Sequence, residues 1–464
     1  DVALAYAAVI NNTFGIETSR VEGAVGEEFT YFASDYDDAE ALRAYLKQAG
    51  MEAEAEGLVL LKNEGGALPL SEGDKVSLVL TGAARFNYAS SGSSAADSSG
   101  YPTLKEAMET CGFAVNEALW DFYAAGAAAS YGRYTMGNTY LVNEAGWDVY
   151  TEDVIASLGE YGTAVAVIAR DSGEGKDISV VKSDGEDGSY LSLSPQEVEV
   201  LEHLTALKAE GKVEKLIVLL NSSAPIQLDF LFREDIQVDA CLWVGNVGSS
   251  GVYAVGQALT GAVNPSGRLS DTYLKNNFAS PAMANWMLNA YASVSAKYTN
   301  AADYALNSTQ ENYSVYVEGV YVGYRYYETR YEDAVMGRTA YDYEADVAYP
   351  FGYGLSYTTF DWSDVRVTEA EDGFEVSVTV ENTGDAPGKE VVEVYLQKPY
   401  TDYDREHGIE KAAVELAGFA KTAALAPGER ETVTVTVSKE QFKCYDADGF
   451  GTYILEAGDY YLDR

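Results

Sequence analysis

Few stretches of this 464-residue chain set ionisable side chains where catalysis needs them. The clearest is Arg170-Asp171-Ser172-Gly173-Glu174-Gly175-Lys176-Asp177, which follows the apolar run Val165-Ala166-Val167-Ile168-Ala169 directly. Such a run reads as a buried strand. A glutamate between two glycines at a strand's carboxyl end can approach a ligand closely, because glycine permits tight backbone contact and dihedrals closed to other residues. Glu174 therefore has the placement of a general acid or base, and a solvated acidic loop without chemistry fits the same local pattern. Gly245-Asn246-Val247-Gly248-Ser249-Ser250-Gly251 resembles a phosphate-cradling turn but has neither the GxGxxG spacing nor a GK[ST] ending. Gly92-Ser93-Ser94 could receive an anion at a helix start, or form a flexible surface loop.

Other chemistries find little support. The two histidines, His203 and His407, lie two hundred residues apart in different expected domains, so a Ser-His-Asp relay has no obvious members. Cys111, Cys241 and Cys444 are scattered singly, without a CxxC pair, which speaks against a structural zinc or a disulfide-stapled scaffold. No cofactor and no metal is expected.

The elements around Glu174 alternate. Gly57–Asn63, Val76–Leu80, Ala164–Ala169, Leu216–Leu220 and Ala240–Val244 read as short buried strands, and Thr103–Cys111 and Pro195–Ala209 as helices between them. This pattern predicts an α/β fold with a mostly parallel sheet covered on both faces, whose ligands gather at the carboxyl ends of the strands. Upstream, a helix from Asp38 to about Ala55 keeps Leu42, Leu46 and Met51 near one face. Beyond Pro265-Ser266-Gly267 a Tyr-rich stretch offers no regular pattern. From Val365 onward, strand-like runs at Phe374–Val380, Val391–Leu396 and Thr432–Val437, separated by turns such as Asn382-Thr383-Gly384, predict an all-β antiparallel sandwich. The expected domains are 1–52, an N-terminal extension with a helix; 53–285, the α/β domain with the Glu174 loop; 286–355, an irregular connection; and 356–464, the β-sandwich.

With 31 Lys+Arg against 73 Asp+Glu, the net charge of -42 disfavours nucleic acid, anionic membrane and anionic polymers as partners. The 37 Tyr and 5 Trp suit a neutral polyol, since amphipathic rings stack on sugar faces, although ordinary packing uses the same residues. No apolar run is long enough to span a membrane. Localisation, cytoplasmic or secreted, stays open, as does a homo-oligomer.

Four segments, in order, are similar to glycoside hydrolase family 3, the β-glucosidase and β-xylosidase family. Ala55–Glu64 through Leu68-Pro69-Leu70 resembles the opening of its α/β sandwich domain, and Asn264–Leu269 a segment near that domain's end. Tyr316–Tyr327 and Tyr349–Phe360 resemble the stretches leading into its fibronectin-III-like domain, with Tyr353 standing where many members have His. The resemblance implies a retaining, exo-acting, cofactor-free enzyme cleaving β-linked glucosides or short β-glucans, with the acid/base glutamate in a Gly-Glu-Gly segment, here Glu174. It also implies a nucleophilic aspartate in a (β/α)8 barrel. Such a barrel takes about 250 residues, which the sequence before Gly57 cannot hold. Ser34-Asp35-Tyr36 and Phe360-Asp361-Trp362 look superficially like the nucleophile motif and are read as decoys. The barrel is expected downstream or on another chain, as in members that place it last, with the loop from Asp171 to about Tyr190 reaching over it. A non-catalytic carbohydrate-binding or assembly module, and a β-xylosidase or β-N-acetylglucosaminidase, are the alternatives.

Overall fold

A computed structural model describes residues 36, 38–137, 139–178, 189–285 and 318–463. Contacts divide the chain into Asp1–Ala49 and Gly50–Arg464. Of the first unit, the described part is mainly the start of the helix Ala39–Gly57, where Leu42 and Leu46 are exposed. Ser34 and Asp35 lie outside the described residues, as do 179–188 of the Glu174 loop and 286–317 of the connecting region.

Among the described residues, nine strands occupy the first part of the second unit: β1 (Val59–Asn63), β2 (Lys75–Val79), β3 (Ala114–Val115), β4 (Gly132–Met136), β5 (Thr139–Asn143), β6 (Gly162–Ala169), β7 (Asp177–Ile178), β8 (Val213–Asn221) and β9 (Ala240–Trp243). Six of them form one sheet in the order β1-β9-β8-β6-β2-β3, parallel except for β1 against β9. The central strands are apolar on both faces because successive side chains point to opposite sides. Ala164, Ala166 and Ile168 of β6 pack with Val218 and Leu220 towards the helices Glu117–Ala124, Glu152–Tyr161 and Pro195–Ala209. Val165, Val167, Ile217 and Leu219 pack towards Leu104–Thr110 and Val252–Thr260. Burying each such leucine or isoleucine contributes roughly 1.5–3 kcal/mol. The helix Pro195–Ala209 keeps the boundaries read from sequence, because Ser194 and Glu197 close a capping box ahead of Pro195.

Between 286 and 355, where the sequence offers no regular element, Tyr324–Val335 forms a helix, and β11 (Val347–Tyr349) pairs back with β10 (Tyr273–Leu274) of the preceding stretch. The chain then enters a sandwich of two three-stranded antiparallel sheets. One is ordered β12 (Phe360–Ala370), β13 (Gly373–Asn382), β16 (Arg430–Ser438); the other is β15 (Glu415–Lys421), β14 (Val391–Gln397), β19 (Tyr461–Asp463). Val376, Val378, Val380, Val392, Val394, Leu396, Val433, Val435 and Val437 alternate inward to form its core. β17 (Cys444–Asp446) and β18 (Thr452–Ile454) pair in a separate hairpin. No helix among the described residues is long and apolar enough to cross a membrane.

The Glu174 loop as candidate active site

The segments that follow β2, β6 and β9 are tied to the end of β8 beside the start of the loop that carries Glu174. Asn221, fully buried at the end of β8, accepts from the Asn87 backbone N–H (2.5 Å) and donates to the carbonyls of Asn87 (2.9 Å) and Gly245 (2.7 Å). Asn87 in turn donates to the Arg170 carbonyl at 2.9 Å. A buried amide that meets its donors and acceptors in this way fixes the spacing of the loops it joins.

Arg170, the first residue after β6, is fully buried. Its guanidinium donates to both oxygens of Glu197 (2.7 and 2.6 Å) and to the carbonyls of Tyr190 (2.6 Å), Ser192 (2.8 Å) and Ala169 (2.9 Å). Glu197 thus serves both its helix cap and Arg170, and the pair pins the loop at both ends. Buried Glu144 lies close enough to Glu197 to feel its charge. Burial raises the Glu144 carboxyl to about 7, against the donors Thr81 Oγ1 and the Thr81 and Ala145 N–H groups.

Past this anchor the backbone turns outward. Asp171 accepts from Arg133 of β4 at 2.8 Å, and its N–H donates to the Tyr190 hydroxyl at 2.8 Å. Gly173, at φ 140°, forms a bridge with Ser91 so close that a Cβ there would stand 2.6 Å from the Ser91 nitrogen. Glu174 follows, its side chain exposed. Its Oε2 accepts from the Ser93 N–H at 2.8 Å and the Ser93 hydroxyl at 2.6 Å, and its carbonyl accepts from the Ser91 hydroxyl at 3.2 Å. Among the described residues Oε1 has no hydrogen bond. The Ser93 hydroxyl and N–H hold the carboxyl below the usual glutamate range. Ser91 also hydrogen-bonds Tyr140, and the Lys176 ammonium lies 5.5 Å over the Tyr140 ring. β7 continues the loop and runs parallel to β5, in a small sheet ordered β4-β5-β7.

The sequence singled out two of these pieces separately and missed their meeting. Gly92-Ser93-Ser94 does receive an anion on a single 3₁₀ turn, and that anion is the carboxylate of Glu174. The phosphate-like turn at Gly245 braces the same region, its Gly248 N–H donating to the Tyr88 carbonyl at 2.9 Å. Tyr140, Asn87 and Asn221 gave no signal beyond their position near strand ends. Asp361 stands exposed on β12 of the second sandwich, in register with Glu381, on a different domain from Glu174. His203 stacks on Trp147 and His407 on Tyr403, each at a distance from any relay. Asp404, Cys444 and Glu456 come together as one group of potential metal donors among the described residues, but the Lys411 ammonium already bonds both carboxylates.

Residues 58–324 match the model described as Glycosyl hydrolase family 3 C-terminal domain, and residues 390–462 that of the Fibronectin type III-like domain. Beta-glucosidase A of Butyrivibrio fibrisolvens is 31% identical over 445 residues, 89% of this chain and 48% of that protein. Exo-alpha-(1->6)-L-arabinopyranosidase of Bifidobacterium longum is 28% identical over 61% of this chain and 31% of its own length. The structure of beta-glucosidase 3B from Thermotoga neapolitana in complex with alpha-D-glucose superposes with a TM-score of 0.70 at 30% identity, over 93% of this chain and 53% of that one. The chain spans about half or less of the length of these relatives.

Proposed function

Because the chain belongs to glycosyl hydrolase family 3, we propose that it forms the acid/base half of a retaining, exo-acting β-glucosidase, with Glu174 as general acid and base. The nucleophilic carboxylate comes, in this reading, from a (β/α)8 barrel on further sequence or on another chain. The observation that carries it is a single exposed carboxylate at the carboxyl end of β6, gripped through one oxygen by Ser93 with the other left without a partner among the described residues.

Retaining cleavage needs two carboxyl groups about 5–5.5 Å apart. The nucleophile attacks the anomeric carbon while protonated Glu174 gives its proton to the departing glycosidic oxygen. In the second step the Glu174 carboxylate takes a proton from water, which attacks the glycosyl-enzyme, and the sugar leaves with its configuration retained. In this chain Glu174 is held ionised, the state the second step requires. The first step requires a raised pKa, and two changes on assembly supply it: a second carboxylate nearby and exclusion of water. The sugar itself is contacted mainly from the barrel side in this scheme, which leaves glucose, xylose or an arabinopyranose as the discriminating question for substrate assays.

Glu174→Gln in the assembled enzyme tests the reading. Cellobiose hydrolysis should fall by roughly 10²–10⁴-fold, the usual worth of positioned proton transfer. An aryl glucoside with an acidic leaving group should suffer less in the first step and accumulate glycosyl-enzyme. Azide, which needs no general base, should restore turnover and yield the β-glycosyl azide. Near-normal cellobiose hydrolysis would remove Glu174 from the mechanism, and an α-glycosyl azide would contradict retention.

A further inference from the structure

We propose that Ser93 is a positioning residue for Glu174, fixing one carboxylate oxygen so that the other alone exchanges the catalytic proton. The inference rests on the acid/base reading above. Both donors of Ser93, the hydroxyl at 2.6 Å and the backbone N–H at 2.8 Å, converge on Oε2. Charge-assisted bonds of this length are directional and strong relative to neutral ones. The Ser93 turn is itself held to the Glu174 loop. The Ser91 N–H donates to the Ser172 carbonyl at 3.2 Å, the Ser91 hydroxyl to the Glu174 carbonyl, and Gly92 lies flat against the Glu174 side chain. Three consecutive residues of one loop thus contact three consecutive residues of the other, and Ser93 is the one that reaches the carboxylate.

A carboxyl with one oxygen anchored has a defined direction for its free lone pair, and an exposed glutamate otherwise samples many rotamers. The same bonds favour the ionised form. In the working enzyme the general acid is lost as pH rises through the Glu174 pKa, which sets the alkaline limb of kcat/KM. Removing the Ser93 hydroxyl removes a bond made to the carboxylate, so the Glu174 pKa rises and this limb moves to higher pH. The backbone N–H stays, so the shift is partial.

The test is the pH profile of kcat/KM for cellobiose in the complete enzyme, for the wild type, Ser93→Ala and Ser93→Thr, with Glu174→Gln alongside. Ser93 is exposed, so neither substitution opens a cavity. Ser93→Ala is expected to move the alkaline limb upward and to lower the plateau about three- to tenfold, through looser orientation. Ser93→Thr keeps a hydroxyl and should return both towards wild type. An alkaline limb that stays in place in Ser93→Ala, in an enzyme that Glu174→Gln does impair, overturns the role of Ser93 alone. Near-normal activity of Glu174→Gln overturns the role of Glu174 and that of Ser93 with it.

Discussion

Two loops more than 70 residues apart in sequence approach at Glu174 to a separation that only glycine tolerates. Gly92 sits at φ 76°, and a Cβ on it would lie 2.4 Å from the Glu174 Cβ and 2.8 Å from Oε2. Gly92→Ala therefore adds both backbone strain and a collision with the Glu174 side chain. The expected result is a loss of about 10²-fold in kcat/KM for cellobiose, since displacement by an ångström at a reacting group costs that much. The surface turn should relax enough to keep the loss of stability to about 1 kcal/mol. Parallel rate measurements and thermal melts check this, and an unchanged rate would show that Glu174 does not work from the position seen here. The flanking glycines made Glu174 legible in the sequence, since they announce a special backbone at a strand's end. Ser93 was not legible as its partner, because nothing local to either loop encodes the register in which β2 and β6 pair.

At the scale of elements, the loop is only as fixed as the strand end and helix that hold it. Arg170 and Glu197 are a fully buried ion pair whose remaining donors reach three carbonyls, so each charge is satisfied only while the other is present. Removing one partner of such a pair leaves a buried charge without compensation and costs about 3–5 kcal/mol. Arg170→Ala should lower the unfolding free energy by that amount, read as a lower denaturant midpoint, and free the loop from Asp171 to Tyr190 at both ends. Faster amide exchange in Leu191 and Ser192 would report the release. A midpoint within experimental error of wild type would show that the strand end does not depend on this pair. The helix that supplies Glu197 was readable from Ser194-Pro195-Gln196-Glu197, where the cap, the proline and the capping-box glutamate all mark the same boundary. β4 was not readable: of its five residues only Gly132 is buried, so it carries no apolar period to detect. The helix Tyr324–Val335 escaped for the same reason, with Tyr327 its one buried residue.

Across the whole second unit, three of the four segments that carried the family resemblance converge on one seam. The Gly267 N–H donates to the Leu58 carbonyl at 2.9 Å, Leu355 to that of Leu60 at 2.8 Å, and Leu269 to that of Tyr353 at 2.9 Å. These three stretches close the outer edge of β1 and lead the chain into the β-sandwich. There Arg268 pairs with Glu390 at 2.6 Å, and Asn264 donates to the Pro387 carbonyl at 2.9 Å. Sequence motifs that far apart were therefore reporting a single packing requirement, the rigid join of two domains, and that join was recognisable without any knowledge of the site. Tyr353, which departs from the histidine common in the family, keeps a polar contact there through its hydroxyl to the Leu61 carbonyl at 3.3 Å. The join also decides what the chain can do by itself. In the proposed reading Glu174, beyond the carboxyl end of β6, supplies one carboxylate of the required pair, and Asp361, the described one of the two aspartates resembling the nucleophile, is committed to a strand of the β-sandwich. In the proposed reading the attacking carboxylate comes from the barrel, so this chain by itself lacks the covalent half of the mechanism, and the hydrogen bonds from Ser93 keep Glu174 ionised, with no proton to give at neutral pH. Residues 1–464 purified alone are therefore expected to leave an aryl β-glucoside unhydrolysed over the uncatalysed background, and to gain turnover when the polypeptide carrying the barrel is supplied. The measurement is release of the aryl alcohol with and without that polypeptide, at equal concentrations of this chain. Activity in the barrel's presence that Glu174→Gln removes would tie the two halves into one active site. Robust turnover by the chain alone would mean that it already holds a nucleophile, and the division of labour proposed here would fall.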